Sequence, residues 1–158
     1  DAGQILGDMV EEDGQAGRGS MDRGLLEGTF GFLLRAAWRD AAKTFTRHFR
    51  AFDINPQQFA TLILVSLNPG CSTGDLTDPL GITPNNMVRL VDILAERGLL
   101  EKSTAAHDKR VRVLHLTPAG RDLLTQLYAA HKEYDAEFEK KLGADNIQRL
   151  CEILRLFD

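Results

Sequence analysis

Cysteine is scarce in this chain of 158 residues: Cys71 and Cys151 stand eighty positions apart, with no CxxC pair and no histidine at ligand spacing. That excludes a disulfide scaffold and gives no support to a zinc site. Long apolar runs are missing too. The richest stretch, Phe59 to Leu67, is interrupted by Thr61 and Ser66 and is about half the ~18 residues a membrane crossing needs. The opening residues carry Asp8, Glu11, Glu12 and Asp13 where a secretory leader needs a basic start and an apolar run. A cytoplasmic location is therefore expected, with no membrane partner. Phosphate-binding glycine loops and a GxSxG elbow are also lacking, and His48, His107, His115 and His131 have no Cys or carboxylate partner at metal-ligand spacing. Neither catalysis nor a cofactor is expected.

What remains is an ordinary globular composition, 43% hydrophobic and 27% charged, enough for one core without staples. The formal net charge of -4 is unevenly spread. Residues 1–22 hold Asp1, Asp8, Glu11, Glu12, Asp13 and Asp22 against Arg18 alone; acidic and without period, they are expected to form a disordered tail ahead of a single domain over 23–158. Basic charge gathers locally instead. Between residues 83 and 112, Arg89, Arg97, Lys102, Lys109, Arg110 and Arg112 outnumber the four carboxylates, and a local patch is what phosphate contact requires.

Capping chemistry and apolar spacing mark the elements. From Leu25 to Phe52 no proline intervenes, and Phe30, Leu34, Trp38, Ala41, Phe45, Phe49 and Phe52 recur at helical spacing. This predicts one amphipathic helix of about 28 residues, roughly 42 Å long. Arg35, Arg39, Lys43 and Arg47 follow at steps of four on its polar side, a stripe expected to be solvated surface. Asn55-Pro56 with Gln58 opens a second helix, stopped at Asn68-Pro69-Gly70. Ser72 with Asp75 caps a short third helix that Pro79 should shorten. After the Gly81 turn, Thr83-Pro84 opens a fourth, with Met87, Leu90, Val91 and Leu94 on one face and Gly98 as its cap. Leu99–Ser103 and Val111–Leu116 then alternate as strands around a polar, basic tip, which predicts a hairpin. Thr117-Pro118 starts a long fifth helix ending at Gly143, and Asp145 is expected to cap an apolar last one.

A short helix, a turn, a second helix and a basic hairpin make a winged helix-turn-helix, in which the second helix enters the major groove. The chain is thus expected to be mainly α, with a winged core over about 55–117, a small β-hairpin wing, and long helices over about 24–52 and 118–158. With the apolar face of the fourth helix turned inward, Asn85, Asn86 and Arg89 lie outward and Thr83 sits at the start. Asn can bond an adenine edge twice, Arg can fork onto guanine, and a helix amino end favours a phosphate oxygen. The first helix and the apolar last helix (Ile147, Leu150, Cys151, Ile153, Leu154, Leu156, Phe157) exceed what one core covers. A homodimer on a pseudo-palindromic double-stranded operator, its half-sites about one turn (~34 Å) apart, is expected.

The stretch HDKRVRVLHLTPAGRDLL, from His107 to Leu124, resembles the wing and following helix of MarR-type regulators: an Asp, two basic residues, an alternating strand, then LTxxG and a helix. LVDILAERGLLEK is similar to the end of that family's recognition helix, GFLLRAA to its first helix and QFATLILV to its second. The resemblance covers roughly residues 24–158. It implies a homodimeric winged-helix regulator, commonly a repressor, that leaves its operator when a small, often aromatic or phenolic, effector binds. It also implies that Lys109 reaches the minor groove and that Asp108 braces the wing by pairing with Arg110; Arg112 completes the basic wing. Lys109 stands where the family usually has Arg, so phosphate contact is its expected role. The effector site is implied near Phe30, Leu34, Arg35, Trp38, Phe59 and Ile63. Two alternatives stay open: a winged-helix protein-interaction module, and a redox regulator acting through Cys71 at a helix start.

Overall fold

The computed structural model describes residues 22–104 and 112–157. The acidic segment 1–21 and the wing-tip residues Asp108, Lys109 and Arg110 lie outside the described residues. The chain divides into two units at Ala37–Trp38.

Within the described residues, the amino-terminal unit holds a 3-10 helix, Gly24–Gly28, followed by the first two turns of α1, which runs Phe30–Phe49. The sequence predicts one unbroken helix from Leu25. Thr29 breaks it: its backbone is extended (ψ 133°), and both its N–H and its hydroxyl donate to the Leu26 carbonyl, at 3.1 and 3.0 Å. At the other end a 3-10 turn, Arg50–Phe52, stops at Asp53 in the left-handed region (φ 51°). At 20 residues, α1 is about 30 Å long rather than ~42 Å.

In the second unit the remainder of α1 is followed by α2 (Pro56–Leu67), β1 (Cys71–Ser72), a 3-10 turn (Gly74–Leu76) continuing into α3 (Thr77–Leu80), α4 (Pro84–Glu96), β2 (Leu100–Thr104), β3 (Arg112–Leu116), α5 (Pro118–Leu142) and α6 (Ala144–Leu154). The starts follow the capping chemistry. Asn55 Oδ1 accepts from Gln58 N at 2.9 Å while Gln58 Oε1 accepts from Asn55 N at 3.0 Å, which satisfies two otherwise orphaned donors. Ser72 and Asp75 exchange hydrogen bonds in the same way: Ser72 N donates to Asp75 Oδ2 at 2.7 Å and Asp75 N donates to Ser72 Oγ at 3.3 Å. As its proline predicts, α3 is short, four residues long. Asp145 does not cap α6. Gly143 holds that position and Asp145 lies within the first turn, where its charge still favours the helix dipole.

The sheet is antiparallel, in the order β1-β3-β2. β2 and β3 form the expected hairpin, Leu100 opposite Leu116 and Thr104 opposite Arg112. β1 was not legible from the sequence; it pairs Cys71 with Leu114 and Ser72 with Val113, and two residues are too few to show a period. The core is continuous through this unit, with Phe49, Leu62, Met87, Leu94, Leu114 and Leu127 almost fully buried. The rings of Phe45 and Phe49 stack 3.8 Å apart, and Phe59 packs 5.1 Å from Phe49. Thr117 ties the end of α4 to the start of α5: its hydroxyl donates to the Gly98 carbonyl at 2.6 Å and accepts from Gly120 N at 2.9 Å.

Candidate nucleic-acid interface

The fourth helix is oriented by its apolar face. Met87, Leu90, Val91 and Leu94 are all buried, with Met87 and Leu94 at 0% exposure. At 100° per residue this turns Asn85, Asn86 and Arg89 outward, and all three are exposed. Pro84 occupies the first helical position and Gly98, at φ +69°, takes the left-handed turn past the end. Thr83 is the cap residue, but its side chain makes no capping hydrogen bond. That exposed hydroxyl, beside the unsatisfied N–H groups of the first turn, is placed for an incoming phosphate oxygen.

The basic residues divide on inspection. Arg97 is committed internally, its guanidinium donating to the backbone carbonyls of Asp53 (2.7 Å) and Phe52 (2.9 Å). Lys102 of β2 pairs with Asp92 of α4, which neutralises the acidic group on the flank of the helix and joins it to the wing strand. Neither arginine of the outer surface, Arg89 or Arg112, has an ion pair among the described residues. Arg112 opens β3 opposite Thr104, at the end of the hairpin nearest its tip. Sequence reasoning missed two features of this surface: the Asp92–Lys102 pair, which depends on tertiary register, and Val88, an exposed apolar side chain (48%) one position before Arg89.

The residues assigned to an effector fall into different environments. Phe59 is buried in the core and stacks on His131 with ring centroids 5.3 Å apart. Ile63, one turn on, is partly buried against the same core. Trp38 is 67% exposed in the second unit. Phe30, Leu34 and Arg35, in the amino-terminal unit, are also exposed. Cys71 is half-buried, and burial together with the neighbouring carboxylate of Asp75 pushes its thiol up, away from the thiolate that oxidation needs. Among the described residues no cluster of side chains could hold a metal ion, and no helix is long and apolar enough to cross a membrane.

A MarR family model matches residues 52–111, from the turn before α2 to the wing. A protein of Thauera aromatica, named as the candidate transcriptional regulatory protein for the hcr operon, is 31% identical over 124 residues, covering 76% of this chain and 73% of its own. Among solved structures, the transcriptional repressor CouR bound to a 23-mer DNA duplex superposes with a TM-score of 0.83 at 27% identity, over 88% of this chain and 99% of that one. CouR bound to p-coumaroyl-CoA gives 0.80 at 27% identity, over 87% and 97%. With its helix-turn-helix, its three-stranded wing and these relatives, the chain belongs to the MarR family of winged-helix transcriptional regulators.

Proposed function

We propose that this regulator represses transcription as a two-fold pair, each copy laying α4 in the major groove of one operator half-site and its wing against the adjacent backbone. The observation that carries the reading is the division of α4: four apolar residues are sealed in the core, while Asn85, Asn86 and Arg89 are exposed and have no side-chain partner among the described residues. Arg89 reads a guanine edge, the asparagines read adenine edges, and Thr83 holds a phosphate. Arg112, with Lys109 and Arg110 of the wing tip, supplies phosphate contact.

Pairing is supported by apolar side chains exposed on α6 and the turn after it: Leu150 is 44% exposed, Ile153 54% and Leu156 82%. Exposed apolar side chains of this size mark interaction surfaces, and a two-fold interface would bury them. Release by a small effector is supported by the likeness to CouR, solved both on DNA and with p-coumaroyl-CoA. Such a ligand acts only by favouring one spacing of the two recognition helices over the other. Trp38, and Ile63 beside Phe59, are the positions in the second unit where its binding is expected to be felt.

The test is a footprint on the DNA flanking the chain's own coding region, with affinity for the protected duplex then measured against salt. A two-fold protected site and a steep negative slope of log affinity on log salt support the reading. Uniform weak binding to all duplexes would defeat it.

A further inference from the structure

One side chain on the exposed face of α4 can make no hydrogen bond to a base edge. At about 100° per residue, Asn85, Val88, Arg89 and Asp92 (positions i, i+3, i+4 and i+7) share the face opposite Met87, Leu90, Val91 and Leu94. Asn85 and Arg89 carry donors. Asp92 is neutralised by Lys102 of β2. Val88, one turn before Asp92, is 48% exposed and has nothing in its side chain to donate or accept.

A lone valine at a protein surface is ordinary; the place of this one is not. It is the fifth residue of the 13-residue helix, in the amino-terminal half, the part of a recognition helix that contacts base edges. Those edges offer donors and acceptors throughout the major groove, and the C5 methyl of thymine is the one apolar group among them. A valine set against a polar edge would cover it without pairing it, which costs free energy. Against a thymine methyl it takes two apolar groups out of water together. Its β-branch holds χ1 to essentially one well in a helix, so its methyl groups are fixed in direction before DNA arrives and little side-chain freedom is lost on contact.

We propose that Val88 is a specificity-determining residue, selecting thymine at one position of each operator half-site by packing its γ-methyl groups against the thymine C5 methyl. The proposal rests on the reading of α4 as the groove-facing helix. Cytosine lacks the methyl and turns an amino donor toward the groove, for which Val88 has no acceptor. Ile93 is the other exposed apolar side chain of α4, at 45%. It lies about 140° round the helix from Val88, on the far side of Arg89 and toward the carboxy-terminal end, and takes no part in this contact.

The experiment uses the full chain and the duplex protected in the footprint, with each thymine of one half-site replaced in turn by deoxyuridine. Each replacement removes a single methyl group and leaves base pairing intact. By fluorescence anisotropy, wild type is expected to bind one of these duplexes about fourfold more weakly than the parent, the effect of burying one methyl group. Val88→Ala should bind the thymine and uracil duplexes equally at that position, while still preferring operator to scrambled DNA through Arg89. Val88 is exposed and alanine favours a helix, so the variant keeps its fold. Ile93→Ala should retain the wild-type penalty for uracil. A half-site without thymine, uracil tolerated at every position, a penalty that persists in Val88→Ala, or one that Ile93→Ala erases would each overturn the proposal and leave the reading of α4 standing. Equal affinity of wild type for operator and scrambled DNA would bring down both.

Discussion

A methyl group placed on Gly120 would collide with the carbonyl oxygen of Leu99, with the carbonyl carbon 3.1 Å away and Leu116 Cδ2 at 3.2 Å. The glycine of the LTxxG stretch is therefore required for close approach, at the point where the start of α5 crosses the strand leaving α4. Its neighbour in the motif, Thr117, makes the two hydrogen bonds that hold this crossing. Gly120→Ala is expected to lower stability by about 1–3 kcal/mol, the usual cost of overpacking against backbone that cannot yield. Urea unfolding checks it: a midpoint unchanged from wild type would show that the crossing gives way easily.

The pair between Asp92 and Lys102 places a neutralised carboxylate beside the proposed recognition surface. Lys102→Met should change folding stability by less than about 1 kcal/mol, since the pair is solvent-exposed. It should nonetheless weaken binding to every duplex alike, because Asp92 is left as an unpaired charge facing phosphates. Adding Asp92→Asn should restore most of the loss. Fluorescence anisotropy on operator and scrambled duplexes reads both effects, and a loss that Asp92→Asn leaves untouched would assign Lys102 a direct contact instead.

Acid should loosen the bridge between α1 and α5. The Glu137 carboxyl is held below its ordinary range first by its hydrogen bond to His48, then by Arg47. A lowered carboxylate contributes stability above the usual carboxylate range and loses it as pH falls through the lowered value. Melting temperature is thus expected to drop on acidification below about pH 5, the region where carboxylates begin to protonate, and Glu137→Gln should flatten that drop. Identical acid profiles for the two proteins would show that the bridge adds nothing.

Oxidation is not expected to control binding. With the Cys71 thiol raised by burial and by Asp75, peroxide treatment of the purified protein should leave operator affinity unchanged. A loss of binding that Cys71→Ser abolishes would reinstate the redox reading.

Most of the winged core was legible because its signals are local. Asn55 with Gln58, Ser72 with Asp75 and Thr117 before Pro118 are chemical starts that no tertiary contact needs to supply, and Met87, Leu90, Val91 and Leu94 alone orient α4. What was hidden depends on partners distant in sequence. β1 exists only because Cys71 and Ser72 meet Leu114 and Val113. Arg97 counted toward the basic patch until the fold turned its guanidinium onto the backbone of residues 52 and 53. The break at Thr29 was masked by an apolar pattern that continues through it, and the Arg47–Glu137 bridge joins two helices at residues ninety positions apart in sequence.

The most direct test concerns Arg89. Once a protected duplex is known, wild type, Arg89→Ala and Arg112→Ala are titrated onto that duplex and a scrambled one across a range of salt. Arg89→Ala should lose about 1–3 kcal/mol on the operator and little on the scrambled sequence, collapsing the ratio between them. Arg112→Ala should weaken both equally and reduce the salt slope by about one. If Arg89→Ala instead weakens operator and scrambled DNA to the same extent, α4 does not read bases through that residue, and the central claim fails.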